Sequence, residues 1–347
     1  MKERIVIFAD THYHLLLAIS IISEYFNDSD KYEVIVIKSN NGIVDKNIVN
    51  SDGNYKIEHV NLQVENRRML SETRAFINDI MALPVKQFLF FNEDYLLPVY
   101  MAITYKKRGT TIGLIQDGLK AYAIITKSAL KYRAFRTLNF YKFLKANDLK
   151  LNSFYFFNIK YGTSKVVDEL WLTHPESAIL NSKPIHKINF LSNNSYVSAA
   201  VSSFSFNDKS MPADNVIFLI SSLVKDSLDV LGVEKKIIAD LQAKFPTAQV
   251  YIKVHPRTPK NILRLLGELK NTTIINNPAP AELYISQLNK AIILGSFSTA
   301  LLYNNNASSF YWVYPMYQKH LPLFKYTKLV NPTSHIKVVD SVENITF

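Results

Sequence analysis

Four short stretches of this chain carry side chains that can do chemistry, and each follows an apolar run. In Gln116-Asp117-Gly118 the carboxylate can take a proton from a hydroxyl, and Gly118 frees the backbone to turn; a common Asp-Gly turn is the plainer reading. In Lys253-Val254-His255-Pro256-Arg257 the proline forces the histidine into an extended backbone. Its imidazole then projects where it can donate a hydrogen bond or a proton to a phosphate oxygen, with Lys253 and Arg257 adding positive charge. A structural His-Pro turn is the alternative, and Thr173-His174-Pro175 has the same spelling. His255 is preferred because it lies inside the second repeating unit, whereas His174 lies near the inferred domain boundary. In Pro280-Ala281-Glu282 the acid can accept from two ribose hydroxyls, although an acid in the first turn of a helix is the more ordinary reading. In Gly295-Ser296-Phe297-Ser298-Thr299, hydroxyls and free amides at a helix start can hold an anion; a plain serine cap is the alternative. Asp28-Ser29-Asp30 spells a metal-binding Asp-x-Asp but lies in a polar loop after a helix, so it reads as a solvated turn and no metal site is expected.

These residues need elements to hold them. Runs of parallel-strand type are expected at 4–10, 32–37, 87–91 and 111–115, and again at 215–220, 248–254, 272–276 and 291–294. Helical spacing is expected at 13–26, 95–106 and 233–244. The alternation predicts an α/β protein with doubly wound parallel sheets. Ligands of such sheets sit beyond the carboxyl ends of the strands, which is where Asp117, the polar turn at Ser221, His255 and Ser296 fall. The expected division is a first domain over 1–175, a linker region over 176–214 that is rich in Ser and Asn, and a second domain over 215–347.

The 347 residues are 48% hydrophobic and 20% charged, enough for two cores. The chain has no cysteine, so disulfides, thiolate metal sites and cysteine nucleophiles are excluded. The net charge of +11 fits nucleic acid, anionic lipid or an anionic small substrate, or a lysine-rich coding bias. Zinc-finger spacing, an aromatic ribonucleoprotein signature and a basic recognition helix are all missing, so no nucleic-acid partner is expected. The N-terminal apolar run is too short for a signal peptide, and no stretch approaches a spanning helix. A soluble, cytoplasmic protein is expected, at most peripheral on the inner membrane.

The order of the motifs is more informative than any one of them. An acid in the first half is followed by His-Pro, Pro-x-Glu and a Ser-rich loop in the second. In this the chain resembles the bacterial sialyltransferases of two-domain GT-B type, most closely glycosyltransferase family 52, with families that include polysialyltransferases as relatives. Thr11-His12-Tyr13-His14-Leu15-Leu16 is similar to the family's Thr-Pro-Tyr-Gln-Leu-like segment. Gln116-Asp117-Gly118, with Tyr122 beyond it, is similar to its Glu/Asp-Asp-Gly motif. His255-Pro256, Pro280-Ala281-Glu282 and the loop with Ser296, Ser298 and Thr299 are similar to its remaining motifs. Gln116 departs from the family's first acid, and His12 and His14 depart from its Pro and Gln. The tail after about Leu321 shows no clear long helix of the kind many GT-B chains carry.

The resemblance implies two Rossmann-like domains with parallel sheets facing across a cleft. It implies Asp117 as the base and His255 as the group that stabilises the leaving phosphate. The implied donor side is Lys253, Pro256, Glu282, Ser296, Ser298, Thr299 and Ser221; the implied acceptor side is His12, Tyr13, His14 and Gly118. The implied donor is CMP-sialic acid, and the implied acceptor is a galactoside end of a bacterial surface glycan such as lipooligosaccharide or capsule. Inversion by single displacement follows, without cofactor or metal. Another CMP-linked sugar or a UDP-hexose stays open as donor, as do a non-catalytic nucleotide- or glycan-binding protein and a homodimer. Residues 131–161 set Lys131, Arg133, Arg136, Lys142, Lys145, Lys150 and Lys160 against a single acid, Asp148, with aromatics interleaved. That composition suits an anionic membrane face, or a solvated helix whose aromatics are core or oligomer contacts.

Overall fold

A computed structural model of the chain describes residues 2–39, 55–60, 68–125, 129–151, 154–158, 160–179, 182–191, 211–212, 214–221, 223, 227–277, 279–318, 320 and 327–347. The chain divides into two compact units, Met1–Ser205 and Phe206–Phe347.

The first unit contains β1 (Glu3–Ala9), β2 (Tyr32–Ser39), β3 (Tyr55–Val60), β4 (Gln87–Phe90), β5 (Thr111–Ile115), β6 (Ala123–Ile125), β7 (Glu169–Leu172) and β8 (Ile185–Lys187). Among the described residues these form a seven-stranded sheet in the order β3-β2-β1-β4-β5-β7-β8, parallel at every pairing. Ile5 to Ala9 are buried on both faces of the sheet, as a strand covered on two sides requires. The strand order reverses between β1 and β4.

The second unit contains β9 (Val216–Ile220), β10 (Gln249–Lys253), β11 (Thr272–Ile275), β12 (Ile292–Gly295), β13 (Ser309–Trp312), β14 (Thr327–Leu329) and β15 (Ile336–Val338). Its six-stranded sheet runs β11-β10-β9-β12-β13-β15 and is likewise parallel. Ile217, Leu219, Val250, Ile252, Ile292 and Leu294 pack with Ile237, Ile238 and Leu241 of the helix Leu228–Lys244 in one core. Here the order reverses between β9 and β12.

The strands expected from apolar runs are present within a residue or two. The helix expected from 233 starts earlier, at Leu228, because Ser227 caps it by accepting from the Val230 amide; Gly232 in its first turns hides that start from the sequence pattern. Strands β8 and β15 have three residues each, too short for periodicity to reveal. Strand β8 lies in the stretch the sequence assigns to the linker. The described tail, 327–347, contains β14, β15 and the short turn Val342–Asn344, with no long helix among its described residues. No helix among the described residues is long and apolar enough to cross a membrane.

Candidate active site

The carboxyl edge of the first sheet gathers its chemistry where the strand order reverses. Strand β1 passes through Asp10 and Thr11 into the helix His12–Tyr25, and Thr11 caps it by accepting from the His14 amide at 3.1 Å. That short turn places His14 flat against Phe91, just beyond β4, with ring centroids 4.1 Å apart and planes 6° from parallel. The Asp10 amide donates to His14 Nδ1 at 3.3 Å, so the ring carries its hydrogen on Nε2, which meets Asp117 Oδ1 at 3.2 Å. The other carboxylate oxygen, Oδ2, accepts from Lys120 Nζ at 2.9 Å. Lys120 also donates to Asn92 Oδ1 and Asp94 Oδ2, both at 3.0 Å, so its three donors are used. Arg136, reaching from the helix Ala129–Ala146, pairs with Asp94 and donates to the Glu93 carbonyl. Gly118 has φ +65°, a left-handed turn that explains glycine after Asp117.

These contacts set the charge of Asp117, which is 20% exposed. Burial alone raises its pKa; the hydrogen bond from His14, and then the charge and hydrogen bond of Lys120, outweigh burial and hold the carboxyl at about 2. Asp117 is therefore ionised at any working pH. Gln116 is fully buried, and its Oε1 accepts from Tyr122 Oη at 2.7 Å and from the Thr173 amide and hydroxyl at 3.0 and 2.9 Å. Its Nε2 donates to Tyr13 Oη at 3.4 Å. A neutral amide serves as this buried hub without needing a counter-charge. His174, in the second His-Pro pair, belongs to the same network: its amide donates to Tyr122 Oη.

The carboxyl edge of the second sheet has a different character. Lys253 ends β10, and its Nζ donates to the carbonyls of Asn277 (2.8 Å) and Val254 (3.3 Å). Burial lowers its pKa to about 8, with Glu282 pulling the other way. The Arg257 amide donates to His255 Nδ1 at 3.1 Å, which fixes the hydrogen on Nε2. Nothing among the described residues accepts from that Nε2–H. Burial, then Arg257 and Lys253, lower the His255 pKa to about 4, so the ring is a neutral donor. Thr258 Oγ1 donates to the Leu223 carbonyl and ties this loop to the one after β9. Glu282, in the helix Ala281–Ile285, is buried, and burial raises it to about 7 against the Lys253 charge.

Each unit thus brings together its own part of the expected site: His12, Tyr13, His14, Asp117 and Gly118 in the first; Ser221, Lys253, His255, Pro256, Glu282, Ser296, Ser298 and Thr299 in the second. Two places differ in detail from the expectation. The Ser221 hydroxyl donates to the buried Glu234 at 2.8 Å and accepts from the Leu223 amide, so its proton is already committed. Ser298 is a cap, accepting from the Ala300 amide at 3.2 Å. The helix it caps, Thr299–Leu302, is one four-residue turn, too short to make the helix-start anion site expected from the sequence. Asp28 Oδ1 accepts from the amides of Asp30 and Lys31, the solvated turn expected there. Sequence reasoning missed Lys38, Asn92, Asp94, Lys120, Arg136 and Glu234. Lys120, three residues after Asp117, and Lys38, near the end of β2 as Lys253 is at the end of β10, were the available signals.

In the basic, aromatic segment, Phe140, Phe143 and Phe157 are core, and Arg136 is buried with its guanidinium over Phe157. Leu130, Phe135, Leu138 and Phe154 are exposed, Leu130 at 70% and Phe154 at 76%.

The alpha-2,8-polysialyltransferase family model matches residues 5–311. The sequence pointed most closely to family 52 and named polysialyltransferases among its relatives; the match falls on the latter. No curated protein sequence matches this chain. Among solved structures, the GT-B domain of a sialyltransferase from Photobacterium damselae superposes with a TM-score of 0.50 at 12% identity, covering 93% of this chain and 95% of that one. MnaA from S. aureus, in a co-structure with UDP, gives 0.55 at 12% identity, covering 90% and 79%. UDP-GlcNAc 2-epimerase from Neisseria meningitidis, bound to UDP-GlcNAc, gives 0.50 at 14% identity, covering 86% and 78%. Identities this low establish the fold, α/β of GT-B type with two parallel sheets.

Proposed function

The chain belongs to the alpha-2,8-polysialyltransferase family and is a glycosyltransferase of sialyltransferase type; on that premise we propose that it moves sialic acid from CMP-sialic acid to the end of a bacterial surface glycan with inversion. One observation carries the reading. The first sheet presents an ionised carboxylate held by His14 and Lys120, and the second presents an imidazole whose Nε2–H meets no acceptor among the described residues, beside Lys253 and Arg257.

Asp117 takes the proton of the attacking hydroxyl. A carboxylate held near 2 is a weak base, but the donor bond breaks through an oxocarbenium-like state. The hydroxyl turns strongly acidic as its oxygen bonds the anomeric carbon, so a late transfer to a weak base suffices. His14 orients the carboxylate and, with Nδ1 occupied by the Asp10 amide, does not itself take the proton. His255 donates to the leaving phosphate as charge grows there, with Lys253 supplying a fixed cation and Ser296 and Thr299 lining the loop after β12. The low pKa of His255 in the free protein rises once a phosphate anion replaces solvent beside it. Glu282 accepts from the ribose, and Pro256 holds the His255 backbone extended. His12, Tyr13 and Gly118 shape the acceptor side. These groups supply the electrostatic work without a metal, so full activity is expected in excess EDTA.

The motifs favour a galactoside end as acceptor, and the family description favours a sialylated end. CMP release from CMP-sialic acid with lactose and with sialyl-lactose separates the two. No CMP release with either, and thermal stabilisation by UDP but not CMP, would replace the reading with a UDP-sugar enzyme. The exposed Leu130, Phe135, Leu138 and Phe154, among Lys131, Lys142 and Lys145, support contact with an anionic membrane. Co-sedimentation with anionic vesicles at low salt is the expected result, and its absence removes that part of the proposal.

A further inference from the structure

A single lysine stands between two carboxylates at the carboxyl edge of the first sheet. Lys120 Nζ donates to Asp117 Oδ2 at 2.9 Å and to Asp94 Oδ2 at 3.0 Å. One ammonium shared by two carboxylates leaves a net negative charge and can be drawn to either. Arg136 removes that ambiguity. It pairs with Asp94 Oδ1, so each oxygen of Asp94 meets a different cation, and the four groups together are neutral. Arg136 is itself held from several sides. Its second arm donates to the Glu93 carbonyl at 2.6 Å, and its guanidinium carbon lies 4.5 Å from the centre of the Phe157 ring and 5.6 Å from that of Tyr132. A planar fork can grip a carboxylate and a carbonyl at once, which an ammonium does not reproduce. Asn92 Oδ1 closes the loop by accepting from the Asp94 amide at 2.7 Å and from Lys120 at 3.0 Å.

The arrangement joins three elements. Residues 92–94 lie just beyond β4, Asp117 and Lys120 lie just beyond its neighbour β5, and Arg136 comes from the helix Ala129–Ala146. With its three donors spent, Lys120 acts on the carboxylate and not on a ligand, although its side chain is 39% exposed. Asp10, His14 and Tyr161 also interact with Asp117, but none is a fixed cation, since His14 Nδ1 accepts from an amide. A carboxylate has about four lone-pair sites. His14 takes one and Lys120 another, so the place of Lys120 decides which sites remain for the proton of a hydroxyl.

We propose that Asp94 and Arg136 are a positioning pair for the base. Arg136 anchors Asp94 and balances its charge, Asp94 fixes Lys120, and Lys120 turns Asp117 toward the hydroxyl that it deprotonates. The role rests on the transferase reading above and adds to it the helix Ala129–Ala146, which reaches the reacting groups only through this chain of contacts.

The test uses the full chain, CMP-sialic acid, and whichever of lactose and sialyl-lactose the wild type uses. Lys120→Met is expected to lower kcat on the order of 10- to 100-fold, the loss of a hydrogen bond between charged groups, with the donor KM unmoved. Arg136→Met is expected to lower kcat by about threefold to tenfold. In the Lys120→Met background, Arg136→Met should cost nothing further, because it acts through that lysine. A pH profile gives the second readout. Lys120 helps to hold the Asp117 carboxyl low, so the ratio of Lys120→Met to wild-type kcat/KM for the acceptor should fall as pH drops from about 7 toward about 4. Arg136→Met should move the ratio the same way and less. If Arg136→Met does not fold, Arg136→Lys, which keeps the charge but not the two-armed grip, takes its place in the same cycle. Losses that add in the double variant, or a ratio that does not move with pH, mean that these residues only brace the fold and overturn the proposal, while the transferase reading stands. If the wild type releases no CMP with either acceptor, the transferase reading fails first and the positioning role falls with it.

Discussion

The two sheets end in the same way and are finished differently. Lys38 pairs with Ala9, the last residue of β1, and Lys253 pairs with Ile220, the last residue of β9. Each lysine is buried beside the central strand, each donates to backbone carbonyls at the carboxyl edge, and burial lowers each to about 8. Beyond the lysines the edges part. The first carries Asp10, Asp94 and Asp117, with the Nε2–H of His14 spent on Asp117. The second carries Ser221, Ser296 and Ser298, with the Nε2–H of His255 meeting no acceptor among the described residues. In both histidines a backbone amide fixes the tautomer, so the difference lies in what stands opposite: a carboxylate in one unit, and no acceptor among the described residues in the other. On the proposed function, one scaffold serves proton removal at one edge and anion binding at the other.

The sharpest way to break this contrast is to disable each edge in turn. Asp117→Asn is expected to lower kcat for transfer on the order of 10²- to 10⁴-fold. His255→Ala is expected to lose as much, and to lose acceptor-free hydrolysis of the donor in proportion, because it acts on the leaving group. CMP release measured with and without acceptor checks both; equal losses of hydrolysis in the two variants would erase the division of labour. Next in size is the lysine pair. Lys253→Met is expected to raise the donor KM about tenfold, the value of a hydrogen bond or fixed charge beside phosphate, while Lys38→Met leaves the donor KM alone. A donor KM that moves equally in both would mean that the lysines serve only the fold.

Much of this was legible in the sequence, and the failures share a cause. Apolar runs ending in a polar residue located Asp117, His255 and Ser296, because a buried parallel strand must be apolar and its ligand edge cannot be. The left-handed turn at Gly118 follows from Asp-Gly. Lys120, Asn92, Asp94 and Arg136 were not legible, since they meet only after β4, β5 and the helix Ala129–Ala146 are folded. Likewise Ser221 reads as an open hydroxyl until Glu234, thirteen residues on, is seen to accept from it. Basic and aromatic composition over 131–161 merged two roles that the helix separates by face, since Arg136 and Phe140 turn inward and Phe135 and Leu138 outward.

A smaller effect comes from pH. Lys253 loses its proton as pH rises through about 8, because burial disfavours its charge more than Glu282 restores it. The kcat/KM for donor should therefore fall above that pH toward a plateau about tenfold lower, the same loss as in Lys253→Met. Lys38 titrates near the same pH for the same reason but on the acceptor edge. The fall should thus persist in Lys38→Met and vanish in Lys253→Met. A limb that survives Lys253→Met assigns the titration elsewhere and removes Lys253 from donor binding.

The smallest effect tests the residues that directly follow the two central strands, Asp10 and Ser221. Folding raises the Asp10 carboxyl from the ordinary 3.8 to about 6, through burial first, opposed by the Lys38 charge and the Ser39 hydroxyl. A carboxyl raised on folding adds stability that is fully present below about pH 4 and is lost as pH rises through 6. Its charged form is thus a net burden at neutral pH. Asp10→Asn should melt a few degrees above the wild type at pH 7.5, and the gap should close as pH falls toward 4. Ser221→Ala takes a hydrogen bond from the buried Glu234 and should melt a few degrees lower. Opposite signs at matched positions would show that the first unit keeps its carboxylate at the expense of stability. Equal signs would mean that Ser39 and the groups around it already satisfy the Asp10 carboxylate, and the two edges would then differ in charge but not in strain.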